Sequence, residues 1–385
     1  MQTLWSFIQS QLLLSTACLV LGVGMLYPLA RKVRHTAIGR AVRLPGGPER
    51  VLVLGSGAFA RELIEEMRLL ASRWTLVGVI PEGRSAPQNS PLPIMGSLAE
   101  MGQIVGKVRP HRIVVALDER RGRLPFESLL DSRVRGVAVE QGVEFYERMT
   151  SRLAIDSLTP SALIFSGGFH RRRIAGIVGR GMSFFLSAAG LAATAPLWPL
   201  IALAIRLDSP GPAIYRQERV GRGARTFALL KFRTMHAAGV NDSSWVRDNT
   251  TRITRVGRFL RWSHLDELPQ LINVLRGDMN LVGPRPHPVS NFALFSAGIP
   301  FYALRAAIRP GVTGWAQVRY RYANTLQEES EKMRYDLYYI KHRSLWLDLR
   351  ILARTARVLL VGLAPGRKSI EAVSAAPEPV TVRAA

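Results

Sequence analysis

Two stretches of this 385-residue chain carry no charge and are long enough to cross a lipid bilayer. A soluble core has little use for such runs, so they constrain the fold more than any other feature. Residues 1–30 hold no charged side chain, and Leu12 to Ala30 is continuously apolar enough to span. Arg31, Lys32, Arg34, Arg40 and Arg43 follow at once and place that end in the cytoplasm. A cleaved signal peptide would carry its basic cluster before the apolar run. The stretch is therefore read as an N-terminal membrane anchor over 1–30.

The second run, Gly181 to Ile205, lies between Arg171, Arg172, Arg173 and Arg180 on one side and Arg206 on the other. Positive flanks at both ends argue that both face the cytoplasm. Pro196 and Pro199 fall inside the run, where proline removes a backbone donor and kinks a helix. A re-entrant helix over 181–205, one that enters, bends and returns, fits both facts. An ordinary kinked span is the alternative, and it would put everything after Arg206 outside the cell.

The chain carries 52 Lys and Arg against 28 Asp and Glu, a net charge of +24. Such a balance implies a polyanionic partner: nucleic acid, anionic membrane lipids or a phosphorylated substrate. The apolar runs and the lack of any recognition motif argue against nucleic acid. The single cysteine, Cys18, excludes an intramolecular disulfide and a cysteine zinc site.

Between the runs, residues 31–150 read as a Rossmann-like, doubly wound α/β domain. Val51 to Leu54 forms a short apolar strand, followed by Gly55-Ser56-Gly57-Ala58-Phe59-Ala60 and a helical pattern. Further strands are expected up to Glu82 and over Arg112 to Leu117. The glycines match G-x-G-x-x-A, which makes Gly55, Gly57 and Glu82 candidates for binding a nucleotide of unknown identity. The same glycines serve a plain tight turn equally well. No catalytic group follows these strands, so the domain is read as regulatory or architectural, with a basic linker over 151–180.

The chemistry is expected in residues 206–364. The segment 226–235, "TFALLKFRTM", has strand character, with Lys231 and Arg233 on one face. In "TRITRVGRFLRW", Val256, Phe259 and Leu260 recur at helical spacing among Arg255, Arg258 and Arg261. That pattern suits either a basic helix in a membrane interface or a core-packed helix with a solvated face. In "LDELPQLINVLRGD", Leu268, Leu271, Ile272 and Leu275 make one apolar face, and Pro269 predicts that the helix begins near Asp266. Asp266 and Glu267 would then stand at a helix N-terminus in basic surroundings that keep them ionised. A carboxylate so placed can attack phosphorus, and it can equally be a capping pair that balances charge.

Five ordered blocks sharpen this. Lys231 to Met235, Asp266 to Gln270, Arg276 to Met279, Val282 to Pro286 and Arg309 to Val318 resemble the bacterial sugar transferase family, the monotopic phosphoglycosyl transferases. "SALIFSGGFHRRR" is similar to members of exosortase-associated exopolysaccharide systems. The resemblance implies a mainly helical, membrane-embedded catalytic domain at the bacterial inner membrane, facing the cytoplasm. It implies transfer of a sugar-1-phosphate from a UDP-sugar to undecaprenyl phosphate, with release of UMP and with Mg2+ as cofactor. Asp266 would be the nucleophile and Glu267 its assistant. Lys231, Arg233, Arg261 and Arg285 would contact phosphate, and Asp278 would join Asp266 and Glu267 beside the metal. Other exopolysaccharide assembly proteins are expected partners. The family bend at Ser-Pro corresponds here to Ala195-Pro196, with the Thr194 hydroxyl or Pro199 as substitutes. His264 and His287 read as polar surface residues, and 365–385 as a disordered tail. A non-catalytic membrane scaffold, or a nucleotide-sensing subunit of a polysaccharide export system, is the alternative function.

Overall fold

The computed structural model describes residues 48–69, 74–82, 92–117, 124–157, 173–236, 251–320 and 323–362. The expected anchor at 1–30 and the tail at 365–385 lie outside these residues.

The first unit is a four-stranded parallel sheet of order β2-β1-β3-β4, formed by β1 (Glu49–Leu54), β2 (Trp74–Ile80), β3 (Arg112–Val115) and β4 (Ala138–Gln141). A parallel sheet needs cover on both faces, and strand alternation supplies two apolar sets. Val51, Val53 and Val114 pack against α1 (Ala58–Leu69) and α4 (Gly142–Thr150) through Leu63, Ile64, Met67, Phe145 and Tyr146. Leu52, Leu54, Ile113 and Val115 face α2 (Met101–Val108) and α3 (Phe126–Val134) through Met101, Ile104, Val105 and Leu129. Each such fully buried aliphatic side chain contributes about 1.5–3 kcal/mol. β4 was not anticipated: "AVEQ" is only partly buried and alternates too weakly to be recognised alone.

Gly55 sits at φ +121°, and a Cβ there would stand 2.2 Å from the Ala116 carbonyl oxygen. The turn after β1 therefore requires glycine on steric grounds, whether or not a ligand visits it. Gly57 precedes α1 and its carbonyl accepts from Arg61 N at 3.1 Å. Glu82 stands just past β2.

After α4 the chain leaves the sheet. Leu153 and Ile155 bury among Phe295, Ile299, Met333 and Leu337, so the start of the expected linker belongs to the second unit's core. Charged pairs reinforce this contact: Arg334 binds Glu62 and Asp156, Arg152 binds Glu66, and Lys341 and His342 bind Glu147.

The second apolar run folds as two helices, α5 (Arg173–Thr194) and α6 (Leu197–Asp208), broken at Ala195-Pro196. Helix α5 begins earlier than the apolar pattern predicts, because the Arg-flanked turn before Gly181 continues it. Its segment Gly176–Thr194 is apolar and long enough to cross a membrane, and only 17% of its apolar window is buried by protein. Pro196 cannot donate to a carbonyl one turn back, which ends α5. The Thr194 hydroxyl donates to Gly190 O at 2.8 Å just before the break. The Thr194 hydroxyl is one of the two substitutes expected for the family's serine, Pro199 being the other.

Next come the antiparallel hairpin β5 (Ile214–Val220) and β6 (Thr226–Phe232), helix α7 (Arg255–Trp262) and helix α8 (Gln270–Arg276). The parallel pair β7 (Asn280–Val282) and β8 (Gly311–Thr313) brackets α9 (Val289–Gly298). Helices α10 (Leu326–His342) and α11 (Leu345–Gly362) close the unit. Thr325 and Glu328 form a reciprocal capping box at the start of α10. Val256, Phe259 and Leu260 of α7 pack with Leu197, Ile201 and Ile205 of α6, while Arg255 and Arg258 are exposed.

Candidate active site

Three segments distant in sequence converge on the two adjacent carboxylates. Asp266 and Glu267 lie in a 3₁₀ turn, Leu265–Glu267, and the α-helix starts only at Gln270. The expected helix N-terminus at Asp266 is thus displaced by one turn. His264, which opens the 3₁₀ turn, is exposed, as expected, and takes a left-handed conformation at φ 57°. Such a residue costs roughly 1–2 kcal/mol. Leu265 anchors the turn by burying into the α6–α7 cluster.

Lys231 comes from the end of β6, where register with β5 sets its direction and Phe232 turns into the opposite, apolar cluster. Its Nζ donates to Glu267 Oε1 at 2.8 Å and stands 3.9 Å from Asp266 Oδ2. Arg285 lies in the Pro284-Arg285-Pro286 loop after β7, and its Nη2 donates to the same Glu267 Oε1 at 2.7 Å. That loop leaves the sheet where two glycines let backbones touch. A Cβ on Gly311 would stand 2.1 Å from Gly283 N, and one on Gly283 would stand 2.6 Å from Arg309 O. The two glycines at this crossing therefore have a packing cause.

The two carboxylates differ electrostatically. Burial alone would raise Glu267, but Arg285 and then Lys231 overcome it and hold the group well below the usual carboxylate range. Burial dominates at Asp266 and raises it, with Lys231 opposing. Burial likewise lowers Lys231, against the attraction of Glu267. Among the described residues no hydrogen bond reaches the Asp266 carboxylate. One carboxylate is locked by two cations; its neighbour is held only at a distance.

Arg261 of α7 donates through Nε to Thr234 Oγ1 at 2.9 Å, and its charge also acts to lower Asp266. Lys231, Arg261 and Arg285 are thus gathered around the dyad. Arg233 has a different position. Its guanidinium donates to Ser209 O at 2.6 Å, Ser209 Oγ at 2.9 Å and Pro210 O at 2.9 Å, clamping the C-terminal end of α6. Strand alternation put it beside Lys231, but β6 ends at Phe232 and the side chain turns to the helix end. Asp278 accepts from Asn273 Nδ2 at 3.1 Å, and the same amide donates to Ala228 O. Asp278 thereby braces the end of α8. Among the described residues no group of three or more His, Cys, Asp or Glu side chains forms a metal-binding cluster.

The dyad nevertheless suits Mg2+, which commonly takes one or two carboxylates and completes its shell with water and substrate phosphate. Glu267 spends one oxygen on both cations, and among the described residues no hydrogen bond engages its second oxygen or those of Asp266.

Sequence reasoning missed the support behind Arg285. His287 is mostly enclosed, its side chain 11% exposed, and its Nδ1 bonds the Tyr302 hydroxyl at 2.5 Å. Burial, with Arg305 next, pushes its pKa well below the usual histidine value. Arg305 donates to Glu329 Oε1 at 3.0 Å and to the Arg285 carbonyl at 3.2 Å, and pairs with Asp336 at 2.7 Å. Arg219 donates to Pro286 O at 2.8 Å; burial, with Arg285 beside it, pushes its pKa down to about 10. The spacing Glu329, Lys332, Asp336 on one face of α10 was the available signal for a buried polar helix face.

The bacterial sugar transferase family model matches residues 174–362. An Aeromonas hydrophila UDP-N-acetylgalactosamine-undecaprenyl-phosphate N-acetylgalactosaminephosphotransferase is 40% identical over 217 residues, 56% of this chain and 51% of that protein. A Caulobacter vibrioides UDP-glucose:undecaprenyl-phosphate glucose-1-phosphate transferase is 52% identical over 169 residues, 43% of this chain and 63% of that protein. The chain thus spans between half and two thirds of the length of these two relatives. The exopolysaccharide production protein PSS of Rhizobium leguminosarum bv. phaseoli is 39% identical over 186 residues, 46% of this chain and 93% of that protein. The chain belongs to the bacterial sugar transferase family.

Proposed function

We propose that this family member transfers a sugar-1-phosphate from a UDP-sugar to undecaprenyl phosphate, as an initiating step of exopolysaccharide or related glycoconjugate synthesis. The observation that carries the reading is the asymmetry of the dyad: Glu267 bound by Lys231 and Arg285, and Asp266 beside it without a hydrogen bond among the described residues. An ionised carboxylate with few partners keeps its lone pairs for attack.

In the first step an Asp266 carboxylate oxygen bonds the β-phosphorus of the UDP-sugar, and the bond from that phosphorus to the bridging oxygen breaks. UMP leaves with the electron pair, and a sugar-phosphoryl-aspartate remains. In the second step an oxygen of undecaprenyl phosphate attacks the same phosphorus and releases the aspartate. Splitting the transfer in two avoids bringing all the anions together at once. Arg261, Arg285 and Lys231 neutralise charge on the phosphoryl oxygens in both steps. Glu267 holds Lys231 and Arg285 in place, and with Asp266 it would hold Mg2+. The metal, when bound, supplies charge neutralisation to the diphosphate.

The re-entrant topology belongs to this proposal. Arg180 of α5 donates to Met279 O at 2.9 Å, and Arg233 clamps Ser209 past α6. Both ends of the broken helix thus attach to one folded body, which favours entry and return on one membrane face. The α/β domain is proposed as an architectural or regulatory unit.

The test is UMP release by the full chain in nanodiscs with Mg2+, undecaprenyl phosphate and a panel of UDP-sugars. Release with one sugar, abolished in Asp266→Asn, is expected. Undiminished release from Asp266→Asn would overturn the covalent step, and no release from folded protein with any sugar would favour a scaffold.

A further inference from the structure

Away from the dyad, three arginines crowd one tryptophan. Trp315, only 1% exposed, has the Cζ atoms of Arg319, Arg354 and Arg350 at 4.6, 5.0 and 5.5 Å from its ring centre. Each contact alone is an ordinary cation–π stack. Together they place three permanent charges so that no two stand farther apart than twice the longest of those radii, where their repulsion is only partly screened.

Like charges held this way normally recruit carboxylates. Arg152, the next arginine along, does so with Glu66 and Glu331. Among the described residues neither the Arg319 nor the Arg350 guanidinium makes an ion pair or hydrogen bond. Arg350 and Arg152 both repel Arg319. Arg319 is exposed, and Arg350 and Arg354 are half-buried.

The cluster is distinct from the dyad, whose main charge partners are Lys231, Arg285 and, for Asp266, Arg261. Its surroundings limit the ligand. Trp315 packs in the same apolar cluster as Met182 and Leu186, near the start of the candidate membrane segment of α5. Arg350 and Arg354 lie one turn apart on α11, which packs against α5. Planar guanidinium forks match the oxygens of a phosphate group, and a helix pair at a bilayer surface meets such groups on lipid headgroups.

We infer that Arg319, Arg350 and Arg354, arrayed over Trp315, form a phosphate-binding site separate from the Asp266–Glu267 centre. Two carriers share the required chemistry: an anionic phospholipid headgroup and a free phosphate. The site does not depend on the proposed transferase activity.

The test uses the full chain in nanodiscs of phosphatidylcholine, alone or mixed with phosphatidylglycerol, at constant ionic strength. A third arm adds inorganic phosphate to the phosphatidylcholine discs. The thermal unfolding midpoint is read, because a ligand that binds only the folded state raises it. In the wild type the midpoint should rise with at least one probe. The rise should fall below half in the Arg319→Gln/Arg350→Gln pair and persist in Arg258→Gln, an exposed arginine of α7 outside both clusters. A rise with phosphatidylglycerol alone identifies the lipid as carrier; a rise with inorganic phosphate identifies free phosphate. No rise with either probe, or an undiminished rise in the double variant, would overturn the site. If the glutamine pair does not fold, Arg319→Lys/Arg350→Lys, which keeps charge and stems but loses the forks, takes its place with the same criterion.

Discussion

Replacing Arg305 by methionine should destabilise the second unit strongly and do so in a pH-dependent way. The Arg305 side chain is 4% exposed, and it pairs with Glu329 at 3.0 Å and Asp336 at 2.7 Å, each of them 2% exposed. Methionine fills much of the volume but supplies no donor. Removing one partner of a buried ion pair costs about 3–5 kcal/mol, chiefly through the charge left behind. Lys332 stays on Glu329 at 3.2 Å, so only Asp336 loses its main counter-charge, and the lower end, about 3 kcal/mol, is expected. For a unit of this size that is roughly a 6–12 °C fall in thermal midpoint. The sign with pH follows from Asp336, whose pKa burial already raises while Arg305 opposes. Without Arg305 it rises further above its unfolded value. A carboxyl raised in the folded state stabilises when protonated and loses that contribution as pH rises through the folded value. The deficit should therefore be largest near pH 8 and shrink as pH falls. Thermal unfolding of the nanodisc-held variant at several pH values is the assay. A midpoint within a degree of wild type at pH 8, or a deficit that grows on acidification, would refute the reasoning. UMP release should fall as well, since the Arg285 carbonyl loses a donor.

Two further substitutions test other joints of the fold. Gly257→Ala would put a Cβ 2.1 Å from the Thr234 carbonyl oxygen, so α7 must shift off the backbone that follows β6 at a cost of about 1–3 kcal/mol. A lowered thermal midpoint with reduced UMP release, through displaced Arg261, is expected; unchanged values would show that the approach is not tight. Asp348→Asn should stabilise at high pH. Burial raises Asp348 to about 6, with the Tyr339 hydroxyl and Arg343 opposing, so above that pH the wild type carries a buried charge. Asparagine keeps an oxygen for the Tyr339 hydroxyl, and the midpoint should rise at pH 8, by up to about 3 kcal/mol of stability, with no gain near pH 4. A gain equal at both pH values would contradict this assignment.

What could be recognised in advance were features written in neighbouring residues. The apolar run Val51 to Leu54, the glycine turn after it, the break at Pro196 and the acidic pair at 266–267 are all local patterns, and each has its counterpart in the structure. β4 escaped because its four residues are only partly buried. The start of α8 was misplaced by one turn, since a proline tolerated in a first helical turn also follows a 3₁₀ turn equally well.

The amino-acid sequence alone determined that the chain holds apolar segments of membrane length, an α/β unit and a carboxylate pair in basic surroundings. It left the tasks of the individual arginines undecided. Arg233, Arg285, Arg305 and Arg319 are chemically identical side chains. Packing assigns one to a helix end, one to Glu267, one to a buried polar network and one to the face of Trp315. A guanidinium reaches several ångströms from its backbone and binds whichever acceptor the fold brings there, so its role is a property of what lies opposite. Ser209, Glu267 and Glu329 lie 18 to 24 residues from the arginines they meet, and only tertiary structure places them.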